Sequence, residues 1–130
     1  MPDAAVFDTR YFNQAYYTNS PEEKRWLTEA FTGVKRRVIS SVSVHEVYRL
    51  ALQSEGKDVA KLRASVMVRD FEVVPLDAEL AVKSAELRHG HGFSLADGAI
   101  AATALREGCP LVSDDFHFTQ VAGLKTRWFK

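Results

Sequence analysis

Four acidic residues occupy positions in the sequence where a divalent metal site would need them. Asp8 directly follows a short apolar segment, and Asp115 follows another one near the end of the chain. Glu46 and Asp97 lie early in two segments with helical patterning. Carboxylates that face one another repel and have raised pKa values, so a cluster of them persists when a cation neutralises it. Carboxylate and water oxygens suit Mg²⁺ or Mn²⁺, and cations held in this way promote phosphoryl chemistry.

Each of these acids also has a structural interpretation. Asp8 and Asp115 are of a type that commonly caps helices or forms turns. Glu46 closes a Ser-x-x-Glu capping box that begins at Ser43, and Asp97 closes a looser version of the same motif. Because helices begin at the carboxyl edge of a parallel sheet, capping alone partly explains why acids gather there. The spacing by itself leaves both interpretations open.

The elements that must position these acids alternate along the chain. Strands are predicted at residues 4–7, 37–40, 71–74 and 110–113, with a short final strand at 126–129. Helices are predicted between them, at residues 10–17, 20–33, 43–55, 57–70, 77–88 and 95–105. Strands that alternate with helices form a parallel sheet with helices on both faces, and ligands bind at the carboxyl ends of the strands. The sequence therefore predicts an α/β fold, a three-layer α/β/α sandwich around a mostly parallel sheet.

The composition narrows the class of protein. The 130 residues are 46% hydrophobic and 26% charged, which predicts one folded domain over residues 1–130. The 17 basic and 17 acidic residues cancel, which disfavours a generally basic nucleic-acid binder but allows a local basic patch. The one cysteine, Cys109, excludes an intrachain disulfide and fits a reducing compartment. No apolar run approaches the ~20 residues of a membrane span, and no signal peptide is evident, so we expect a cytoplasmic protein with no membrane partner.

Four segments carry a further pattern in their order and spacing, namely Ala5–Thr9, Ser41–Val47, Ser94–Ala104 and Leu111–Phe118. Together they resemble the motifs of the PIN-domain family, and in particular its single-domain, VapC-like toxin branch. The resemblance covers essentially the whole chain. It implies a flavodoxin-like sandwich and a metal-dependent endoribonuclease that hydrolyses RNA phosphodiester bonds with water activated by Mg²⁺ or Mn²⁺. It also implies a small antitoxin protein as partner, and we expect a homodimer or a higher oligomer.

The same resemblance assigns roles to individual residues. It makes Asp8, Glu46, Asp97 and Asp115 the catalytic and metal-binding acids. Thr9 and Ser113 match hydroxyl positions that orient the carboxylates, and Asp114 is a weaker candidate ligand. Gly98 stands where alanine is common, and Arg10 is an unusual residue that either contacts RNA phosphate or pairs with a carboxylate. The alternative function is a non-catalytic PIN-like module that binds RNA or protein.

Three other features have two interpretations each. A basic run at Lys35–Arg37 is either a solvated face or, with Lys57, Lys61 and Arg63, a rim that contacts phosphate. The aromatic residues of Tyr11–Tyr17, with Val47–Tyr48, pack in the core by default, and a dimer or antitoxin surface is the alternative. The segment His89–Gly92 is interpreted as a solvated loop rather than a metal motif.

Overall fold

The computed structural model describes residues 3–128. Its strands are β1 (Ala4–Phe7), β2 (Arg36–Ser40), β3 (Glu72–Val74), β4 (Leu111–Val112) and β5 (Thr126–Arg127). They form one sheet in the order β3-β2-β1-β4-β5, and every neighbouring pair is parallel. The predicted parallel sheet is confirmed. Of the predicted last strand, Phe129 lies outside the described residues.

Six α-helices and one 3₁₀ helix connect and cover the strands. The α-helices are α1 (Thr9–Tyr17), α2 (Pro21–Thr32), α3 (Ser41–Ser54), α4 (Lys57–Asp70), α5 (Ala78–His91) and α6 (Leu95–Glu107), and the 3₁₀ helix covers Phe116–Gln120. The hydrogen bonds of two helix-capping residues are present in the structure. The Ser20 hydroxyl accepts the backbone N–H of Glu23 at 3.1 Å, and the Asp77 carboxylate accepts that of Leu80 at 2.9 Å. Among residues 3–128, no helix is long and apolar enough to cross a membrane.

The side chains of the sheet alternate between two separate cores, as the period of two along a strand requires. On one face, Val6 and Leu111 pack with residues of α5, α6 and the 3₁₀ helix. On the other face, Phe7 and Ile39 pack with residues of α1, α2, α3 and α4. Helices therefore cover both faces of the sheet, and the predicted three-layer sandwich is confirmed.

The predicted start of the third helix is wrong. Helix α3 begins at Ser41, and the Ser40 hydroxyl caps it by accepting the backbone N–H of Val42 at 3.1 Å. Ser43 is fully buried inside the helix, so Ser43 and Glu46 do not form a capping box. The sequence offers serines at positions 40, 41 and 43 with the same capping chemistry, and the end of β2 at Ser40 decides between them.

Two smaller predictions are also wrong. Residues 89–91 are the last turn of α5 rather than a loop, and only Gly92 leaves the helix, with a left-handed φ of 70°. The spacing of apolar residues on α3 and α4 predicts that Leu52 and Leu62 face inward, but they are 44% and 64% exposed. Helices α3 and α4 instead reach the core through fully buried alanines at positions 51 and 60.

The glycine at position 98 has a structural cause. Helices α5 and α6 pack closely where Gly98 meets Ser84. A β-carbon built on Gly98 would lie 2.6 Å from Ser84 Oγ and 3.0 Å from the Ser84 carbonyl oxygen. The presence of glycine rather than alanine at position 98 therefore matches a close contact between two helices.

Candidate active site

The candidate site lies where the order of the strands reverses. The chain moves outward from β1 through β2 to β3, and then returns to place β4 on the other side of β1. In open α/β sheets, ligands bind at such a switch point, beside the carboxyl ends of the strands. Asp8 follows β1 and Ser113 follows β4, and the Asp8 backbone N–H donates to the Val112 carbonyl oxygen at 3.1 Å.

Asp8 is almost completely buried, with 2% of its surface exposed. It occupies the cap position of α1, yet its side chain makes no capping hydrogen bond. Its Oδ2 instead accepts the hydroxyl of Ser113 at 2.7 Å. Burial raises the pKa of Asp8 to about 7, and the negative charges of Asp97 and Glu46 act in the same direction. Capping therefore does not explain this buried carboxyl group.

Asp97 lies in the first turn of α6 and is half-buried. The Ser94 hydroxyl accepts the Asp97 backbone N–H at 3.1 Å, so the predicted helix cap is present. The carboxyl group nevertheless has a raised pKa, first because of burial and then because of the negative charge of Asp115. Capping and proximity to another acid thus occur together at Asp97.

Asp115 caps the 3₁₀ helix. Its Oδ1 accepts the backbone N–H of His117 at 3.0 Å and lies 2.8 Å from Nδ1 of the same histidine. Burial acts to raise the pKa of Asp115, but its contacts with His117 outweigh burial and leave the pKa below its ordinary value. The backbone N–H of Asp115 donates to Ser113 Oγ at 3.1 Å, so Ser113 contacts both Asp8 and Asp115.

Glu46 accepts a hydrogen bond from Thr9 on α1, and Thr9 in turn contacts Ser43 on α3. Thr9 Oγ1 lies 2.6 Å from Glu46 Oε1 and 3.0 Å from Ser43 Oγ. A carboxylate only accepts, so the single hydroxyl hydrogen of Thr9 points to Glu46, and Ser43 is left to donate to Thr9. Ser43 belongs to this hydrogen-bonded group and was not among the predicted site residues. Its spacing of three residues from Glu46 on one helix was the available signal.

Arg10 and Asp114 form an ion pair at the mouth of the site. The guanidinium Nε and Nη2 face the two carboxylate oxygens of Asp114. Of the two interpretations of Arg10, pairing with a carboxylate is the one that the structure contains. The positive charge of Arg10 also interacts with Asp8 and Asp115.

The structure therefore brings the four predicted acids to one edge of the sheet. Their negative charges interact in pairs, which are Glu46 with Asp8, Asp8 with Asp97, and Asp97 with Asp115. Between residues 3 and 128, no group of three or more acidic, histidine or cysteine side chains is arranged to hold a metal ion. The acids thus form an open site rather than a closed cage of protein ligands. Mg²⁺ commonly keeps several waters and uses one or two carboxylates, so an open site is compatible with it.

Residues 5–124 match the family model of the PIN domain. The chain belongs to the PIN-domain family. No curated protein is detectably similar to it in sequence.

Solved structures share the fold of this PIN domain at low sequence identity. VapBC2 from Rickettsia felis, bound to a DNA fragment from its promoter, is 17% identical with a TM-score of 0.78, covering 98% of this chain and 99% of that one. VapC20 from Mycobacterium tuberculosis, described as a sarcin-ricin loop cleaving toxin, is 15% identical with a TM-score of 0.75, covering 88% and 92%. FitAcB from Neisseria gonorrhoeae is 21% identical with a TM-score of 0.73, covering 94% and 95%.

Of the two interpretations of the basic run, the rim that contacts phosphate is wrong for Arg36 and Arg37. Arg36 and Arg37 lie at the amino end of β2, at the edge of the sheet opposite to the acids. Arg36 binds the carboxylates of Glu72 and Glu107 at 2.7 and 2.6 Å. Arg63 pairs with Glu55 at 2.8 Å. Arg36 and Arg63 are thus paired with carboxylates, and Arg36 and Arg37 lie away from the acids.

The aromatic residues at the start of α1 have the default role. Tyr11 and Phe12 are buried against Phe7 and Phe71 in the core. Tyr16 is half-buried beneath the guanidinium of Arg63, which lies 4.1 Å from the ring centre. Tyr17 is 46% exposed, and its hydroxyl donates to Glu55 at 2.7 Å and accepts from Arg63 at 2.9 Å.

Proposed function

We propose that this PIN domain is a metal-dependent endoribonuclease and the toxin of a toxin–antitoxin pair. The observation that carries the proposal is the buried Asp8 at the switch point, whose pKa is raised to about 7 beside two further acids. A folded protein that keeps a carboxyl group in this position without a cation loses stability at neutral pH. Function is therefore the better explanation for its presence.

The donor set fits Mg²⁺ or Mn²⁺. Asp8, Asp97, Asp115 and Glu46 offer carboxylate oxygens, which hard divalent cations prefer, and no histidine or cysteine is needed among the ligands. When bound, such a cation supplies Lewis-acid chemistry, which neutralises the charge of a phosphate and makes water more acidic.

The residues of the chain itself hold the acids in place. Ser113, which follows β4, donates a hydrogen bond to Oδ2 of Asp8. This hydrogen bond fixes the rotation of the carboxylate. Thr9 fixes Oε1 of Glu46 and leaves the other oxygen without a hydrogen bond from Thr9. His117 fixes Oδ1 of Asp115. Three of the four acids are thus oriented by one neighbouring side chain each, which preorganises them for a cation and a phosphate.

A cleavage assay tests the proposal. The purified chain is incubated with single-stranded RNA in Mg²⁺ or Mn²⁺, and in parallel with EDTA. We expect cleavage with the metal ions, none with EDTA, and a loss of at least about a hundred-fold in Asp97→Asn, since removal of one charge-stabilising group typically costs ~10²–10³ in rate. Asp58→Asn is the matched control, because Asp58 also lies in the first turn of a helix but is exposed and is not among the charges that shift the pKa of Asp8 or Asp97. Equal loss in both variants contradicts the proposal.

A small antitoxin is the proposed protein partner. The solved structures of similar fold include complexes described as VapBC or toxin–antitoxin pairs. Tyr17, Leu52 and Leu62 offer exposed apolar surface on α1, α3 and α4. A cationic side chain of the antitoxin would relieve the repulsion among the acids, as a metal ion does.

Competition between metal and antitoxin checks this part of the proposal. Mg²⁺ is titrated into the isolated complex, and we expect the affinity of the antitoxin to fall as the metal concentration rises. An affinity independent of metal, together with full nuclease activity in the complex, contradicts the insertion of a cation. Size-exclusion chromatography with light scattering tests the expected homodimer.

A non-catalytic PIN-like module that binds RNA or protein is the second candidate. The observation in its favour is the open arrangement of the acids, since no three of the described ones form a closed metal site. Calorimetric titration with Mn²⁺ separates the two candidates. Binding that disappears in Asp97→Asn supports the nuclease, and no binding to the wild type supports the module.

A further inference from the structure

A groove of about 450 Å³ adjoins the acids between α1, α3 and the start of α6. Thr9 and Glu46 form part of its wall, so the groove is continuous with the candidate active site. Its volume lies within the range of about 300–1,000 Å³ that is usual for small-molecule sites.

Polar side chains form a row along the wall of the groove. His45, Arg49 and Gln53 follow one another at intervals of four residues on α3, which places them on one face of that helix. Asn13 lines the groove from α1. The three residues on α3 are exposed and Asn13 is half-buried.

Arg49 differs from most arginines of the protein in having no partner. Among residues 3–128, only Arg25 and Arg49 make neither a hydrogen bond nor an ion pair, whereas the other arginines have at least one. The guanidinium group is a planar set of donors that matches two phosphate oxygens at once. Arg25 lies on α2, and Arg49 lines the groove beside the acids.

Apolar side chains complete the groove. Leu50 is half-buried in its wall, and Leu95 at the start of α6 is 54% exposed. Together they offer a surface against which the face of a nucleobase can pack. A cation for phosphate, amide and imidazole groups for base edges, and an apolar surface for the ring are the elements by which proteins recognise single-stranded RNA.

We propose that this groove is a subsite for one nucleotide of single-stranded RNA next to the scissile phosphate. In it Arg49 binds the phosphate of that nucleotide, while Asn13, His45 and Gln53 contact the edge of its base. The inference rests on the proposed ribonuclease function and deepens it by naming the residues that select the substrate. RNA is favoured over a protein segment as the occupant of the groove. The unpaired guanidinium of Arg49 suits one phosphate, and the neighbouring acids suit the next phosphate along the strand.

Binding of RNA without metal tests the role of Arg49 separately from cleavage. A fluorescein-labelled single-stranded RNA of random sequence is bound to the full chain in EDTA, and anisotropy is measured at several salt concentrations. We expect Arg49→Gln to weaken binding about ten-fold or more, since a hydrogen bond to a charged group contributes ~1.5–3 kcal/mol. The slope of log K against log salt falls by about 0.7, as one phosphate contact on a single strand requires. Arg25→Gln, which also removes an exposed arginine without a partner, changes neither quantity.

Cleavage of a randomised RNA pool tests the contacts to the base. In Mg²⁺, Asn13→Ala and Gln53→Ala alter the base preference at one position beside the cut, whereas Arg49→Gln lowers cleavage of all sequences alike. If Arg49→Gln binds RNA as tightly as the wild type, the subsite is wrong, and the ribonuclease proposal stands on its own cleavage result. If binding depends on Arg49 but no RNA is cut in any metal, the groove binds RNA through Arg49 and the ribonuclease function is wrong.

Discussion

The hydroxyl of Ser113 lies 2.7 Å from Oδ2 of Asp8, although the two residues are 105 positions apart in the chain. The contact joins the carboxyl ends of β1 and β4, the two strands between which the sheet reverses its order. The same oxygen of Ser113 accepts the backbone N–H of Asp115 at 3.1 Å. One buried hydroxyl therefore sets the positions of two acids of the candidate site.

Ser113→Ala removes this connection. We expect the pKa of Asp8 to rise above its value of about 7, because the hydrogen bond from Ser113 favours the ionised form. The variant also loses about 1–3 kcal/mol of stability, since buried groups that were hydrogen-bonded lose their partner. Carboxyl ¹³C NMR titration and denaturant unfolding measure the two effects. Ser84→Ala is the control, because the Ser84 hydroxyl is buried without a hydrogen-bond partner and its removal leaves stability nearly unchanged.

Asp8→Asn changes how stability depends on pH in the absence of metal. The pKa of Asp8 is raised from 3.8 to about 7 by folding, so between these values the folded protein holds a proton that the unfolded chain has released. The free energy of unfolding of the wild type therefore falls as the pH rises from about 4 through 7, by up to about 4 kcal/mol at ~1.4 kcal/mol per pKa unit.

The neutral asparagine has no such dependence. In EDTA at pH 8, Asp8→Asn is expected to be more stable than the wild type, and at pH 4 the difference largely disappears. Denaturant unfolding across this range measures both. Parallel stability curves for the two proteins would show that Asp8 is not the titrating group.

Arg10→Gln strengthens the binding of divalent cations. The guanidinium of Arg10 places a positive charge near Asp8 and Asp115, and this charge opposes a second cation at the same acids. Mg²⁺ at millimolar concentration should raise the Tm of the wild type, because it binds the folded acids better than the dispersed ones. We expect a larger rise in Arg10→Gln and a much smaller one in Asp8→Asn. A smaller rise in Arg10→Gln would mean that the Arg10–Asp114 pair supports the metal site rather than competing with it.

Gly98→Ala tests the close contact of α5 and α6. The added methyl group meets Ser84 Oγ at 2.6 Å and the Ser84 carbonyl oxygen at 3.0 Å, so the helices must move apart. We expect a loss of about 1–3 kcal/mol, the usual cost of overpacking a tight core. Adding Ser84→Ala removes the nearer contact and restores part of the loss. A fully additive double variant in thermal unfolding would argue against this contact.

Local signals in the sequence predicted most of the fold. Ser20 and Asp77 each stand alone as a capping residue at the start of a helix, and both helices begin where predicted. Asp8 and Asp115 follow apolar strands, and parallel pairing carries such positions to a shared edge without further information. The edge that holds the acids was therefore predictable from local patterns and topology.

The contacts between distant elements were not predictable. Thr9 reaches Glu46 and Ser43 only because α1 packs on α3, which no short-range pattern specifies. The start of α3 was not predictable either, because several serines there have the same capping chemistry. The end of β2 at Ser40 determines which of them caps the helix. The rim interpretation of Arg36 and Arg37 was excludable from the sequence, because residues that begin a strand lie at its amino end and Arg36 begins β2.

Crystals soaked in Mn²⁺ test the central claim most directly. Anomalous diffraction locates the ion independently of any activity. The predicted result is a peak at the carboxyl ends of β1 and β4, within ~2.0–2.3 Å of an oxygen of Asp8, Asp97 or Asp115, and its loss in Asp97→Asn. A structure at saturating Mn²⁺ with no peak among these acids, or with its ion held elsewhere on the molecule, would contradict the claim that they form the metal centre.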